Sequence, residues 1–244
     1  VPQPDHTPPS HVVNFRELLE SRCGRQSARR NDVTADKLKA ATVRLLETRG
    51  YHDIRIETVC KEAGLAKGTL YLHFADKEDL VSQVLEEYTD LQIRLMPGAG
   101  HCKTAFDALS FLNAWFSDTF CENVGLHRSL MQLSETIPRI TEIWTNFLKR
   151  LSDQFNAEIR RWSDTPLSAD LSTLATYCLW GMLDQALYAI YAVHRNPDFG
   201  RLARNRAFLI QSITLLQYRA LFLENPDTVI DKSLQPLLSL KLQQ

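Results

Sequence analysis

Apolar residues spaced i, i+3, i+4 recur along almost the whole chain, while the strict alternation of a half-buried strand is nearly absent. That period places side chains on one face of successive helices, so the chain reads as all-α. Glycine, the usual helix breaker, supplies only 9 of 244 residues, which leaves long stretches free to stay helical. A 44% hydrophobic composition and a net charge of −1 exclude whole-chain disorder. The longest apolar run free of charged residues, Leu171 to Leu183, has thirteen residues, against the roughly 18 that a membrane span needs. Five cysteines (Cys23, Cys60, Cys102, Cys121, Cys178) form no C-x-x-C pair, which points to reduced thiols, no metal site and a cytoplasmic protein. The opening VPQPDHTPPS lacks the basic-then-apolar order of a signal peptide.

Along the chain, residues 1–33 read as an N-terminal extension: a proline-rich arm, a short amphipathic helix over Val12–Ser21, and a basic stretch with Arg22, Arg25, Arg29 and Arg30. That stretch is either a solvated linker or an arm against a nucleic-acid backbone or minor groove. Residues 34–80 hold three short helices. The first carries Leu38, Ala41, Leu45 and Leu46 and stops at Gly50; the second carries Ile56, Val59, Cys60 and Ala63 and stops at Gly64. The third spans nine residues from Ala66 and is anchored by Leu70 and Phe74. A fourth helix, from Asp76 to Met96, opens with a capping box of Asp76 and Asp79. Residues 81–230 form a larger helical domain with longer helices near 103–121, 126–135, 138–159, 169–194 and 201–223, and residues 231–244 are a C-terminal tail.

Two short helices joined by Ala63-Gly64-Leu65 are what a helix-turn-helix requires. The second of them, AKGTLYLHF, contains no acidic residue. It offers Lys67, Thr69, Tyr71 and His73 on faces away from its apolar anchors, which suits a polyanion groove, and Lys77 at the head of the next helix adds a cation for a phosphate.

The run from Leu38 to Leu85 resembles the DNA-binding domain of the TetR family of transcriptional regulators. The resemblance rests on Arg49-Gly50-Tyr51, Cys60-Lys61-Glu62-Ala63-Gly64-Leu65, Lys67-Gly68-Thr69-Leu70-Tyr71-Leu72-His73-Phe74 and Lys77-Glu78-Asp79-Leu80. It covers about the first third of the chain; the remainder is similar only in length and helicity. The resemblance implies that Lys67, Gly68 and Thr69 open the recognition helix against DNA, that Tyr71 and His73 reach phosphate or base edges, and that Lys77 clamps a phosphate. Three positions depart from the family pattern. Ala66 replaces a capping hydroxyl, a change typically worth ~1 kcal/mol. Leu72 stands where His or Tyr is common. Arg55 replaces a small hydroxyl residue ahead of the second helix and offers a longer, charged contact to DNA.

Charge divides almost evenly: residues 1–80 hold 13 Lys+Arg against 12 Asp+Glu. Binding then depends on where the cations sit, and one short helix covers few base pairs, so a homodimer on a near-palindromic operator is expected. Leu171, Leu174, Leu179, Leu183, Leu187, Phe208, Ile213, Leu215 and Leu216 exceed what one chain needs to bury and mark the last two long helices for dimerisation. Trp115, Phe116, Phe120, Trp144, Phe147, Tyr177, Trp180 and Tyr188 are read as the walls of a pocket for a small apolar or aromatic effector, with Asn113, His127 and Asp184 as its polar groups. The expected protein is a ligand-responsive regulator, most simply a repressor, with no cofactor. The alternative is a dimeric DNA-binding protein that answers to no ligand. An enzyme is not expected, because H-E-x-x-H, G-x-S-x-G, P-loop and paired-cysteine patterns are all missing from the sequence.

Overall fold

A computed structural model describes residues 12–24, 30–163, 167–193, 197–222, 225–227 and 232. The proline-rich arm, Arg25, Arg29 and the 233–244 tail lie outside the described residues. Among the described residues the structure is all-helical: α1 (Phe15–Cys23), α2 (Arg30–Thr48), a 3-10 turn (Tyr51–Asp53), α3 (Ile56–Ala63), α4 (Lys67–Tyr71), α5 (Lys77–Leu95), α6 (Ala105–Glu122), α7 (Val124–Leu133), α8 (Pro138–Trp162), α9 (Ala169–Leu187) with a π-helical extension (Tyr188–Val193), α10 (Pro197–Arg204) and α11 (Arg206–Phe222).

Local sequence explains the ends of these helices. Gly64 adopts φ 66°, ψ 33°, the left-handed conformation that only glycine takes without strain; its N–H donates to Lys61 O while Leu65 N–H donates to Cys60 O. Asp76 Oδ1 accepts from Asp79 N–H at 2.8 Å, and Asp79 Oδ2 accepts in return from Ala75 N–H at 3.0 Å, one residue earlier than a regular capping box. Gly50 does not close α2 as expected. Its backbone is extended at φ −75°, and the last carbonyls of α2 find another partner, described below.

Three helices differ from their sequence-based spans. The recognition helix has five residues, not nine. After Tyr71 the bonds Leu72 N–H to Thr69 O and His73 N–H to Leu70 O tighten the chain into a 3-10 turn, with Leu70 and Phe74 both in the core. The 201–223 helix is two, broken at Asn205, whose Oδ1 accepts from Phe208 N–H and so starts α11 afresh. The 169–194 helix is α-helical only to Leu187.

The chain packs as two compact units. The first contains the described residues of 11–95 and 119–151. Phe15, Leu38, Leu46, Leu70, Phe74, Leu85, Tyr88, Phe120 and Leu126 form its interior, each at most 2% exposed. Ion pairs tie its helices together at the rim: Glu87 accepts from both Arg22 and Lys39, Arg44 bridges Glu20 and Glu62, and Arg139 reaches Asp79 at 2.7 Å. The second unit contains the described residues of 96–118 and 152–232. Phe106 and Leu215 are buried there against Phe208 and Tyr218.

Candidate nucleic-acid interface

Helices α3 and α4 meet through the Gly64 turn, and burial of Val59, Cys60, Leu70 and Phe74 fixes which faces turn outward. Tyr71 is 49% exposed and Leu72 84%. Arg55, Lys67 and Gly68 are exposed, and Thr69 and His73 are half-buried. A Cβ on Gly68 would meet no atom within 4 Å, so nothing inside the protein demands glycine there. A glycine in the first turn of α4 with no internal reason leaves room for an outside partner to come close. Neither Arg55 nor Ala66 caps its helix through a side chain, and at the head of α3 the Glu57 carboxylate accepts from its own backbone N–H.

The two lysines are engaged within the protein. Lys67 Nζ donates to Glu57 Oε1 at 2.6 Å on the surface and stands 6.0 Å from the Tyr71 ring. That hydrogen bond raises the lysine's pKa and lowers the glutamate's. Lys77 Nζ donates to Tyr51 O at 3.2 Å and Ile54 O at 3.1 Å and sits 4.0 Å above the Tyr51 ring, where burial lowers its pKa. The phosphate clamp expected at Lys77 therefore has one N–H left, after two serve to hold the 3-10 turn against the head of α5.

The candidate effector residues fall into both units. In the second, Asn113 Nδ2 donates to Thr214 Oγ1 at 2.9 Å and Gln217 Oε1 at 2.7 Å, and Gln217 Nε2 passes the chain on to Leu179 O at 2.7 Å. Trp115 and Phe116 are buried, and Phe116 lies 4.0 Å from the Trp180 ring. Tyr177 is exposed, Tyr188 opens the π-helical extension, and Asp184, 3% exposed, has an Oδ1 with no hydrogen-bond partner. Burial raises its carboxyl pKa to about 7. In the first unit, His127 is fully buried, stacked on Phe120 at 4.5 Å and met edge-on by Tyr88 at 5.4 Å. Burial lowers its pKa to about 3, so it is neutral. Trp144 and Phe147 pair at 5.7 Å, and Phe147 lines a polar cleft of about 200 Å³ with Thr89, Asp90, Arg139, Asn146 and Arg150.

Residues 38–84 match the family described as bacterial regulatory proteins, tetR family. The fatty acid metabolism regulator protein of Bacillus subtilis is 38% identical over 47 residues, which are 19% of this chain and 24% of that one. That stretch is similar to the TetR-family DNA-binding domain. A second B. subtilis relative, the HTH-type transcriptional regulator YwcC, is 33% identical over 58 residues, so the match spans about a quarter of each curated relative. The remainder agrees in fold. The structure of FadR from B. subtilis in complex with stearoyl-CoA aligns over 71% of this chain and 96% of its own with TM-score 0.56 and 23% identity. FadR from Bacillus halodurans aligns over 72% and 94%, with TM-score 0.56 and 21% identity. A TetR-family regulator from Syntrophomonas wolfei aligns over 83% and 100%, with TM-score 0.60 and 15% identity. The matched relatives are regulators, in line with the non-enzymatic reading.

Several residues that matter to the first unit have no signal in the local sequence. Asn123, beyond α6, donates to Val13 O and Thr119 O and accepts from Phe15 N–H, so it pins α1. Arg128 and Gly125 on α7 meet the end of α2, and Arg139 meets Asp79. Each acts across 60 or more residues of sequence, and local periodicity holds no trace of that.

Proposed function

We propose that this chain is a ligand-responsive transcriptional repressor that binds a near-palindromic operator as a homodimer through α3 and α4. The observation that carries the reading is the outward set Lys67, Gly68 and Tyr71 above the buried Leu70 and Phe74. Arg55, Thr69 and His73 flank that set, and Lys77 adds its remaining donor.

The dimer reading draws on α9 and α11. Of the residues expected to pair two copies, Leu179, Leu183, Leu187, Ile213 and Leu215 are buried within the chain itself. Leu171, Leu174 and Leu216 remain 56%, 60% and 44% exposed, and Met182 continues the α9 face at 40%. Spacing of three and eight residues from Leu174 keeps Leu171 and Met182 on one side of that helix, a stripe that a second copy would cover.

The effector is read as a long-chain fatty acyl-CoA. FadR of B. subtilis, similar in fold, holds stearoyl-CoA, and the second unit's Trp115 and Phe116 with the neighbouring Trp180 are read as apolar lining. Binding must favour a state in which the two recognition helices no longer match the operator; moving 1:99 to 99:1 takes about 5.5 kcal/mol of differential affinity.

The test is a duplex selected by the protein from a random-sequence library, followed by gel shift. Tyr71→Ala is expected to weaken binding roughly 100-fold, as loss of good contacts on two half-sites would, with the dimer intact. Unaltered binding refutes the interface. Stearoyl-CoA is expected to release the duplex; retention across acyl chain lengths favours the ligand-independent DNA-binding protein instead.

A further inference from the structure

Helix α2 ends without the usual devices. Its last turn contains no basic side chain, and Gly50, which follows, is extended instead of left-handed. The carbonyls there need donors, and the helix dipole favours a cation. Both come from α7. Arg128 Nη2 donates to Leu46 O at 2.7 Å and to Arg49 O at 3.1 Å, so one nitrogen bridges the final turn.

One turn earlier on α7, Gly125 lies directly on the same place. A Cβ built there would stand 2.5 Å from Leu46 O, 2.6 Å from Glu47 Cα and 2.7 Å from Glu47 N, all backbone atoms that cannot swing aside. Two backbones therefore touch where only glycine fits. Between these residues, His127 turns the other way, into the ring stack with Phe120 and Tyr88, and Tyr88 belongs to α5, the helix that follows the recognition helix.

We infer that α7 is the joint that sets the orientation of the DNA-binding helices, with Arg128 and Gly125 as positioning residues for operator binding. The inference rests on the DNA-binding reading above and extends it: neither residue touches DNA, yet both are needed for the α2 scaffold to present α3 and α4.

Dissociation constants for the selected duplex are measured against KCl concentration for wild type, Arg128→Met, Arg128→Lys and Gly125→Ala. Circular dichroism at the assay temperature confirms that each is folded. Arg128→Met keeps the apolar stem and removes the donors; it is expected to bind at least roughly tenfold more weakly, within the range of ordinary coupling between sites. Its log–log salt slope stays that of wild type, because no phosphate contact is lost. Arg128→Lys, whose ammonium can bridge two carbonyls as Lys77 does at Tyr51 and Ile54, restores affinity to within about threefold of wild type. Gly125→Ala weakens binding with the same unchanged slope and stands in if Arg128→Met does not fold. Wild-type affinity in Arg128→Met, failure of the lysine to rescue, or a slope reduced by ~0.9 each overturns the joint, the last by making Arg128 a phosphate contact. If wild type itself recovers no duplex, the DNA-binding reading fails and the joint fails with it; wild-type binding beside an unaffected Arg128→Met defeats the joint alone.

Discussion

The two compact units differ in how they hold their ionisable groups. In the first, charged groups stand at the rim and join helices in pairs, as at Arg22–Glu87, Arg44–Glu62 and Arg139–Asp79. Its recognition face stays open to solvent. In the second, polarity runs through the interior: Asn113, Thr214 and Gln217 form a buried ladder, and Asp184 is buried with one oxygen unsatisfied. A rim of ion pairs braces a surface that must stay rigid while something docks on it. Buried polarity costs free energy unless it is satisfied, so it is kept where a partner completes it. Both units bury polar side chains, but the first leaves an exposed face for a partner while the second keeps an ionisable carboxyl, Asp184, inside.

The largest expected effect tests the interior. Burial raises Asp184 from its ordinary 3.8 to about 7. The folded state then holds a proton that the unfolded chain releases, so the full stability is present below about pH 4. It falls as pH rises through the window from 3.8 to 7 and stays low above it. A shift of about three units corresponds to an upper bound of about 4 kcal/mol. Asp184→Asn, measured by urea unfolding, is expected to be more stable than wild type at pH 8, with the gap closing as pH approaches 4. Equal stability at pH 8 would show the carboxylate to be compensated, and the contrast between the units would disappear. His127, in the first unit, has the opposite sign. With a folded pKa of about 3, it removes stability as pH drops below 6.5, where the unfolded imidazole gains a proton.

Much of the first unit was legible because its signals are local. Gly64 needs a left-handed φ, Leu70 and Phe74 recur at helical spacing, and Asp76 with Asp79 caps the next helix within four residues. The recognition helix came out too long for a related reason. Leu70 and Phe74, four residues apart, continue the helical pattern on paper, while i→i−3 bonds tighten the real chain after Tyr71. The aromatic set was hardest to place. Aromatic size marks Trp115, Phe120, Trp144 and Trp180 as core or pocket walls, and all of the set but Tyr177 are buried or half-buried, but which unit each joins depends on long-range packing. Arg128 illustrates the limit: nothing near position 128 announces carbonyls at positions 46 and 49.

A middle-sized effect sharpens the contrast at the surface. Gly68 has open space around its Cα, so Gly68→Ala is expected to stabilise the folded protein by roughly 0.4–1 kcal/mol through the unfolded chain's lost freedom. The same methyl is expected to obstruct the duplex and weaken binding about tenfold, as a loss of about 1.4 kcal/mol would. Opposite signs in thermal unfolding and in gel shift mark a position shaped by an external partner. A gain in both would mean that DNA never approaches Gly68.

The smallest effect concerns the Lys67–Glu57 pair, which is more than half exposed on both sides, so the pair adds little to stability. Its weight falls on binding. Lys67 must leave a carboxylate to meet a phosphate, and that carboxylate, whose pKa the hydrogen bond lowers, stays charged beside the duplex. Glu57→Gln keeps the shape and removes the charge. Affinity for the selected duplex is expected to rise roughly threefold at low salt, with a steeper salt dependence by up to ~0.9 in the log–log slope as Lys67 gains a full phosphate contact. At high salt the two proteins should converge, since screening weakens both the pair and the contact. An unchanged slope would place Lys67 and Glu57 off the DNA path, and the recognition face would then centre on Tyr71 and Gly68 alone.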